Sequence, residues 1–235
     1  MLERMTLSNR LATWVLVSFA ALTLTSCSSV PKQDTGQEGP AQTGVRQGPM
    51  REAIGELKVS EEDNQSGYSR QKFGYPSKTN GQCSTRNQVL IAEAITKPKV
   101  VEPGCKLEGG KWTSYVDNIT TTDPQEMSID HTVPLAEAWR SGASEWTSDQ
   151  RSRFANDVTY APTLTVVSIE ANSAKGDKGP EGWMPPNKDA ACVYIGNWIA
   201  TKLHYGLTAN VEEVDALKSH KECKELTMQW KGKTD

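Results

Sequence analysis

Apolar residues recur at helical spacing in CSTRNQVLIAEAIT (83–96), where Val89, Leu90, Ala92, Ala94 and Ile95 follow an opening Ser84 and Thr85; the pattern predicts a helix. The next stretch, KVVEPGCKLEGGKWTSYV (99–116), sets β-branched and aromatic residues between Pro-Gly and Gly-Gly breaks and predicts short strands joined by tight turns. EMSIDHTV (126–133) predicts a further strand, after which Pro134 opens a helix over LAEAWRSG that Gly142 stops. TSDQRSRFAND (147–157) reads as a helix capped by Thr147 or Ser148, with Asp149 and Gln150 in its first turn. TLTVVSI (163–169) is the clearest strand and leads through Glu170 and Ala171 to a helix or turn beginning at Asn172. Two amphipathic helices follow, about 189–205 and 210–222, broken at Gly206. Helices interspersed with short antiparallel strands, and no visible internal repeat, predict an α+β domain and not a doubly wound sheet.

The first residues follow a different pattern. Arg4 and Arg10 precede LATWVLVSFAALTL, an apolar run too short for a comfortable membrane span, so residues 1–26 read as a processing signal. Leu24-Thr25-Ser26-Cys27 resembles a bacterial lipobox, which implies cleavage before Cys27 and lipidation of its thiol. Two or more acyl chains hold a protein stably on a bilayer, so the expected location is extracytoplasmic, anchored to the bacterial cell membrane. Residues 27–65 are rich in Gln, Gly, Pro, Ser and Thr and read as a flexible tether, leaving 66–235 as one domain large enough for a sizeable core.

The net charge is −3, and removing Glu3, Arg4 and Arg10 with the leader makes it −4. Such a chain lacks the basic footprint of a non-specific nucleic-acid binder, so contact with nucleic acid has to be local. With Cys27 assigned to lipid, Cys83, Cys105, Cys192 and Cys223 remain. Four cysteines in an oxidising compartment point to two disulfides with three possible connectivities. Nearest-neighbour pairing, Cys83–Cys105 and Cys192–Cys223, is expected because each pair brackets a local unit. No two cysteines stand at C-x-x-C spacing, which disfavours zinc.

The chemistry concentrates in SIDHTVPLAEAW (128–139). Asp130 and His131 end an apolar run, where unpaired polar groups away from water cost several kcal/mol, on the order of 2–7. Pairing the strands at 126–133 and 163–169 brings Asp130, His131 and Asn172 together. A carboxylate and an amide oxygen suit a hard ion such as magnesium, and a histidine beside it can serve as general base.

IDHTVPLAEAW, FAND, LTVVS and NSAKGDKGPEGWMPP resemble the secreted bacterial branch of the HNH endonucleases, as do YSRQKFG, CSTRNQVL and CVYIGNWIATKLHYGL, so the resemblance runs from about Tyr68 to Cys223. It implies a disulfide-stapled ββα-metal core with Asp130 and Asn172 as metal ligands, magnesium or manganese as the ion, and His131 as the base that activates water. The implied reaction is hydrolysis of a phosphodiester, in DNA more readily than RNA, with Lys175 and Arg86 as phosphate contacts and Asp177 orienting the loop or Lys175; the alternative for Arg86, which closely follows Cys83, is to cap or brace the disulfide region. No protein partner is implied. One departure stands out: the family's middle asparagine, which orients the base, is replaced around Tyr160 or Ala161, with Asn156 as the nearest substitute. The rival expectation is a weakly active or inactive surface lipoprotein that keeps the fold to bind an envelope component or partner protein, favoured by the acidic charge and that replacement. Trp139, Trp146, Trp183 and Trp198 are expected to pack in the core and not to stack on bases, His204 and His220 to lie on helix surfaces, and EEVDALKSHKECKE to form a solvated face.

Overall fold

Val45–Pro49 is already a strand (β1), antiparallel to the last one, Thr227–Lys231 (β8), in the register Val45↔Lys231 to Pro49↔Thr227. The computed structural model describes residues 44–63, 65–74 and 83–232. The leader, Cys27 and most of the expected tether therefore lie outside the described residues. The tether expected over 27–65 ends sooner: helix α1 (Met50–Gly55) follows β1 directly and buries Met50, Ala53 and Ile54, with Leu57 just beyond. These four apolar residues supply what the polar stretch before them lacks, enough surface to offset the entropy of ordering.

Helix α2 (Thr85–Glu93) is capped by Ser84, which accepts from Asn87 N–H. Three small antiparallel pieces follow: β2 (Lys99–Val101) with β3 (Lys106–Glu108), then β4 (Trp112–Thr113) with β5 (Thr120–Thr121). Strand β6 (Met127–His131) precedes α3 (Leu135–Arg140) and α4 (Ser148–Ala155), whose capping box joins Thr147 and Gln150 as the sequence suggests. Strand β7 (Leu164–Ser168) pairs with β6 from Met127↔Ser168 to His131↔Leu164. Helices α5 (Ile169–Lys175), α6 (Ala191–Tyr205) and α7 (Val211–Ser219) complete the chain, with Gly206 in the left-handed region ending α6. Helix α5 starts three residues before the expected Asn172, because Ser168 ends the strand and caps the helix.

The β6–β7 pair lies between two helices. Leu164 and Val166 pack with Met127 against Val89 and Leu90 of α2 and Ala94 just beyond it, while Val167, of opposite parity, packs on Ala171 of α5. Glu93 of α2 accepts from the Val166 backbone N–H at 2.7 Å and Thr165 Oγ1 at 3.1 Å, satisfying the outer edge of a two-stranded sheet. Both nearest-neighbour disulfides form, with Cα separations of 5.1 Å for Cys83–Cys105 and 5.2 Å for Cys192–Cys223. Trp139 and Trp198 are core residues, and Trp146 and Trp183 pack against the same core. His204 is buried under Tyr160 and not on a surface, whereas His220 reaches out to Glu222.

The acidic C-terminal helix does more than face water. Lys202, fully buried on α6, donates to Glu137 Oε1 at 2.9 Å, Glu213 Oε2 at 2.6 Å and the Thr208 carbonyl at 2.8 Å. Burial alone would raise Glu137, but the charge of Lys202 and hydrogen bonds from Ser141 and Lys202 outweigh it and hold it at about 2. Glu213 is pushed up to about 7, because burial and the charge of Glu137 exceed what Lys202 returns. Between 4.5 and about 7 the folded protein keeps a proton that the unfolded chain releases. The contribution of Glu213 is therefore fully present below 4.5 and is lost as pH rises through about 7. In Glu213→Gln, stability measured by thermal melts from about pH 5 to 8 should fall less with rising pH, with the wild-type loss on the order of 3 kcal/mol removed.

Candidate active site

Alternation along β6 decides what its residues meet. Ser128 and Asp130 face α5, while His131, of the same parity as Met127 and Ile129, turns toward α4. On α5, Asn172 and Lys175 stand three apart and so share a helix face. Asn172 Nδ2 donates to Ser128 Oγ at 2.7 Å, and Lys175 Nζ donates to Asp130 Oδ1 and Oδ2 at 2.9 and 2.7 Å and to the His131 carbonyl at 2.8 Å. The Lys175 side chain is 1% exposed. Burial raises the Asp130 carboxyl and lowers the Lys175 ammonium, and the charge of each opposes the shift of the other.

His131 Nε2 lies 2.9 Å from the Ala155 carbonyl at the end of α4. A carbonyl only accepts, so Nε2 carries the hydrogen and Nδ1 keeps a lone pair. Burial lowers the imidazole to about 4 against the hydrogen bond to Ala155, and the positive charges of Arg70 and Lys175 add to the fall. The ring is therefore neutral at pH 7 and able to take a proton. The aim expected from a middle asparagine comes here from backbone. Tyr160 sits 4.1 Å, centroid to centroid, from the ring of buried His204 and has no part in holding His131. Asn156 accepts from Thr85 Oγ1 at 2.7 Å and donates to the Ser152 carbonyl, beside the imidazole but committed to its neighbours.

The proposed phosphate contacts are both engaged. Arg86 donates through Nη2 to the carbonyls of Pro124 and Met127 at 2.6 and 2.9 Å, and all three hydrogens of the Lys175 ammonium are spent inside the fold. Asp177 does not reach Lys175; it pairs with Arg140 at 3.2 Å. Asp130, His131 and Asn172 line one cleft of about 630 Å3, with Tyr68, Arg70, Ser128 and Arg140 on its walls. A second lobe of about 210 Å3 lies beside it, lined by Arg86, Thr85, Asn156 and again His131 and Arg70. Ser128, Arg70 and the Ala155 carbonyl were missed as site groups. Ser128 and Arg70 sit inside the motif-bearing segments, but a backbone carbonyl leaves no mark in a sequence.

Among the described residues no three His, Cys, Asp or Glu side chains gather at one point, so no cage made of these groups is present there. With Nδ2 turned to Ser128, Asn172 has Oδ1 unused among the described residues, and each Asp130 oxygen keeps a second lone pair beyond its bond to Lys175. Two hard oxygens on one cleft fit a magnesium-like ion that retains most of its waters. The neighbouring ammonium cancels the charge of Asp130, so affinity at this site is expected to be modest.

Residues 104–219 match the family described as GmrSD restriction endonucleases, C-terminal domain, a span that contains every site residue except Tyr68, Arg70, Thr85 and Arg86. This part of the chain is thus similar to a domain of restriction endonucleases. The chain belongs to the family that includes an uncharacterized secreted protein of Arthroderma benhamiae (strain ATCC MYA-4681 / CBS 112371), 41% identical over 163 residues, 69% of this chain and 78% of that protein. No solved structure matches. A secreted relative and two disulfides point to an oxidising, extracytoplasmic setting.

Removing Lys175 tests the pair. Lys175→Met leaves the Asp130 carboxylate buried without its counter-charge and should lower stability in urea at pH 7 by about 3–5 kcal/mol. Asp130→Asn together with Lys175→Met should recover part of that loss, since no bare charge is left buried.

Proposed function

We propose that this protein is a metal-dependent endonuclease of the HNH type, hydrolysing phosphodiester bonds of nucleic acid, DNA in preference to RNA, outside the cytoplasm, where the lipobox-like Cys27 tethers it to a bacterial membrane. The observation that carries the reading is the imidazole of His131: its Nε2–H is fixed on Ala155, and its Nδ1 lone pair is available at neutral pH in the cleft that also holds Asp130 and Asn172. The ββα arrangement of β6, β7 and α5 and the match to a restriction-endonuclease domain support it.

In this reading His131 Nδ1 takes a proton from water, and the hydroxide attacks phosphorus. The P–O bond to the 3′ oxygen breaks, that oxygen takes a proton from solvent to leave as a hydroxyl, and the imidazolium returns its own proton to solvent. Asp130 and Asn172 would hold a divalent ion, which supplies charge stabilisation at the non-bridging and departing oxygens when bound. Ser128 keeps the Asn172 amide turned, and Lys175 keeps the Asp130 carboxylate in place.

A second reading, a binding protein that retains the fold without the activity, is favoured by the charge cancellation at Asp130. Plasmid DNA with magnesium or manganese separates the two. The full chain should nick and linearise it, EDTA should stop it, and His131→Ala should reduce the rate by at least about 100-fold while leaving the melting temperature nearly unchanged. Cleavage under none of these metals, with metal binding that depends on Asp130, favours the binding protein.

The pH profile is a further check. The acid limb of kcat/KM, which reports the free enzyme, should fall near pH 4. That of kcat should lie higher, because a bound phosphate anion favours the imidazolium. An acid limb of kcat/KM near 6.5, the ordinary histidine value, speaks for an imidazole that water reaches more fully than its burial implies.

A further inference from the structure

The two lobes of the cleft share five residues, Arg70, Ser128, Ile129, His131 and Leu135, so the lobes meet where Arg70 and His131 stand. A chain of nucleotides lying through both lobes has its backbone at that junction, beside the imidazole. An acidic protein that binds such a chain needs a cation there. Lys175 is buried with its hydrogens used, Arg86 is braced on two carbonyls, and Arg140 is held by Glu137, Glu62 and Asp177. Arg70 differs from all three: it is exposed, and among the described residues it has no hydrogen bond and no ion pair.

Its backbone, by contrast, is fixed. Arg70 opens the 3-10 turn Arg70–Phe73, whose Phe73 is fully buried against Trp139 and Phe154. Tyr68 packs on Phe73 and Trp139 in turn, and Lys72 Nζ donates to the Gly67 carbonyl at 2.7 Å. The segment thus presents an uncommitted guanidinium from an anchored base, the arrangement expected of a group reserved for an external anion.

We propose that Arg70 binds the phosphate undergoing hydrolysis, placing it against His131 through paired N–H donors to its non-bridging oxygens. The inference rests on the nuclease reading. Arg70 lies outside the matched span of residues 104–219, so the family match does not assign it.

The test uses the full chain carrying His131→Ala, so that binding is read without cleavage, and a fluorescein-labelled 20-base-pair DNA as probe. Adding Arg70→Ala should weaken binding about 10-fold at low salt and reduce the slope of log Kd against log salt by about 0.9, the mark of one lost phosphate contact. With His131 intact, Arg70→Ala should lower kcat/KM at least about 10-fold with an unchanged melting temperature, and Arg70→Lys should restore the salt slope but not the full rate. Equal affinity and equal slope with and without Arg70, in protein that does bind the DNA, overturn the assignment and leave the nuclease reading intact. A large fall in melting temperature for both Arg70→Ala and Arg70→Lys also overturns it, by giving the residue a structural role. No DNA binding by His131→Ala protein and no cleavage by wild type overturn the nuclease reading, and Arg70 falls with it.

Discussion

One buried ammonium fixes the geometry on which the cleft depends. Lys175 ties the end of α5 to both oxygens of Asp130 and to the carbonyl of His131, so helix and strand are locked at the point where the polar side chains emerge. An ion pair so deeply buried gains little net stability, since desolvation consumes most of the Coulomb attraction. Its value lies in direction: the ammonium accepts only one placement of Asp130, and the strand residue that follows inherits that placement.

The imidazole is constrained from its other side. Helix α4 ends so that the Ala155 carbonyl lies free of the helical ladder and accepts from Nε2. The last carbonyls of any helix lack intrahelical partners, and here one of them orients the ring. A side-chain amide in the same role could be lost by a single substitution, whereas a carbonyl persists through every change of residue that preserves the helix end. Tyr160 is then released to pack on His204 in the core.

Much of this was legible in the residues. The strand at 163–169, the capping box at Thr147 and the pairing of the four cysteines follow from local patterns, and the convergence of Asp130, His131 and Asn172 on one cleft follows from pairing two strands. What escaped was of two kinds. Long-range pairing hid the order of residues 45–57, since β1 is polar and mostly exposed and owes its strand state to β8 at the far end of the chain. Charge networks hid the roles of Glu213, Lys202 and Asp177, because whether an acid on an amphipathic helix is solvated depends on which cation the fold delivers to it. For the same reason Lys175, expected at phosphate, turns inward, while Arg86 takes a bracing role that its place near Cys83 also allows.

The β6–β7 register spans residues 132–163, so a stretch carrying two whole helices has to be in place before His131 can pair with Leu164. The site is thus spread over three successive parts of the chain: His131 before the insertion, Ala155 within it and Asn172 after it. Closing so long a loop is entropically unfavourable until the contacts that reward it exist, and no shorter fragment holds all the parts. Whatever chemistry the cleft performs therefore depends on completion of the fold.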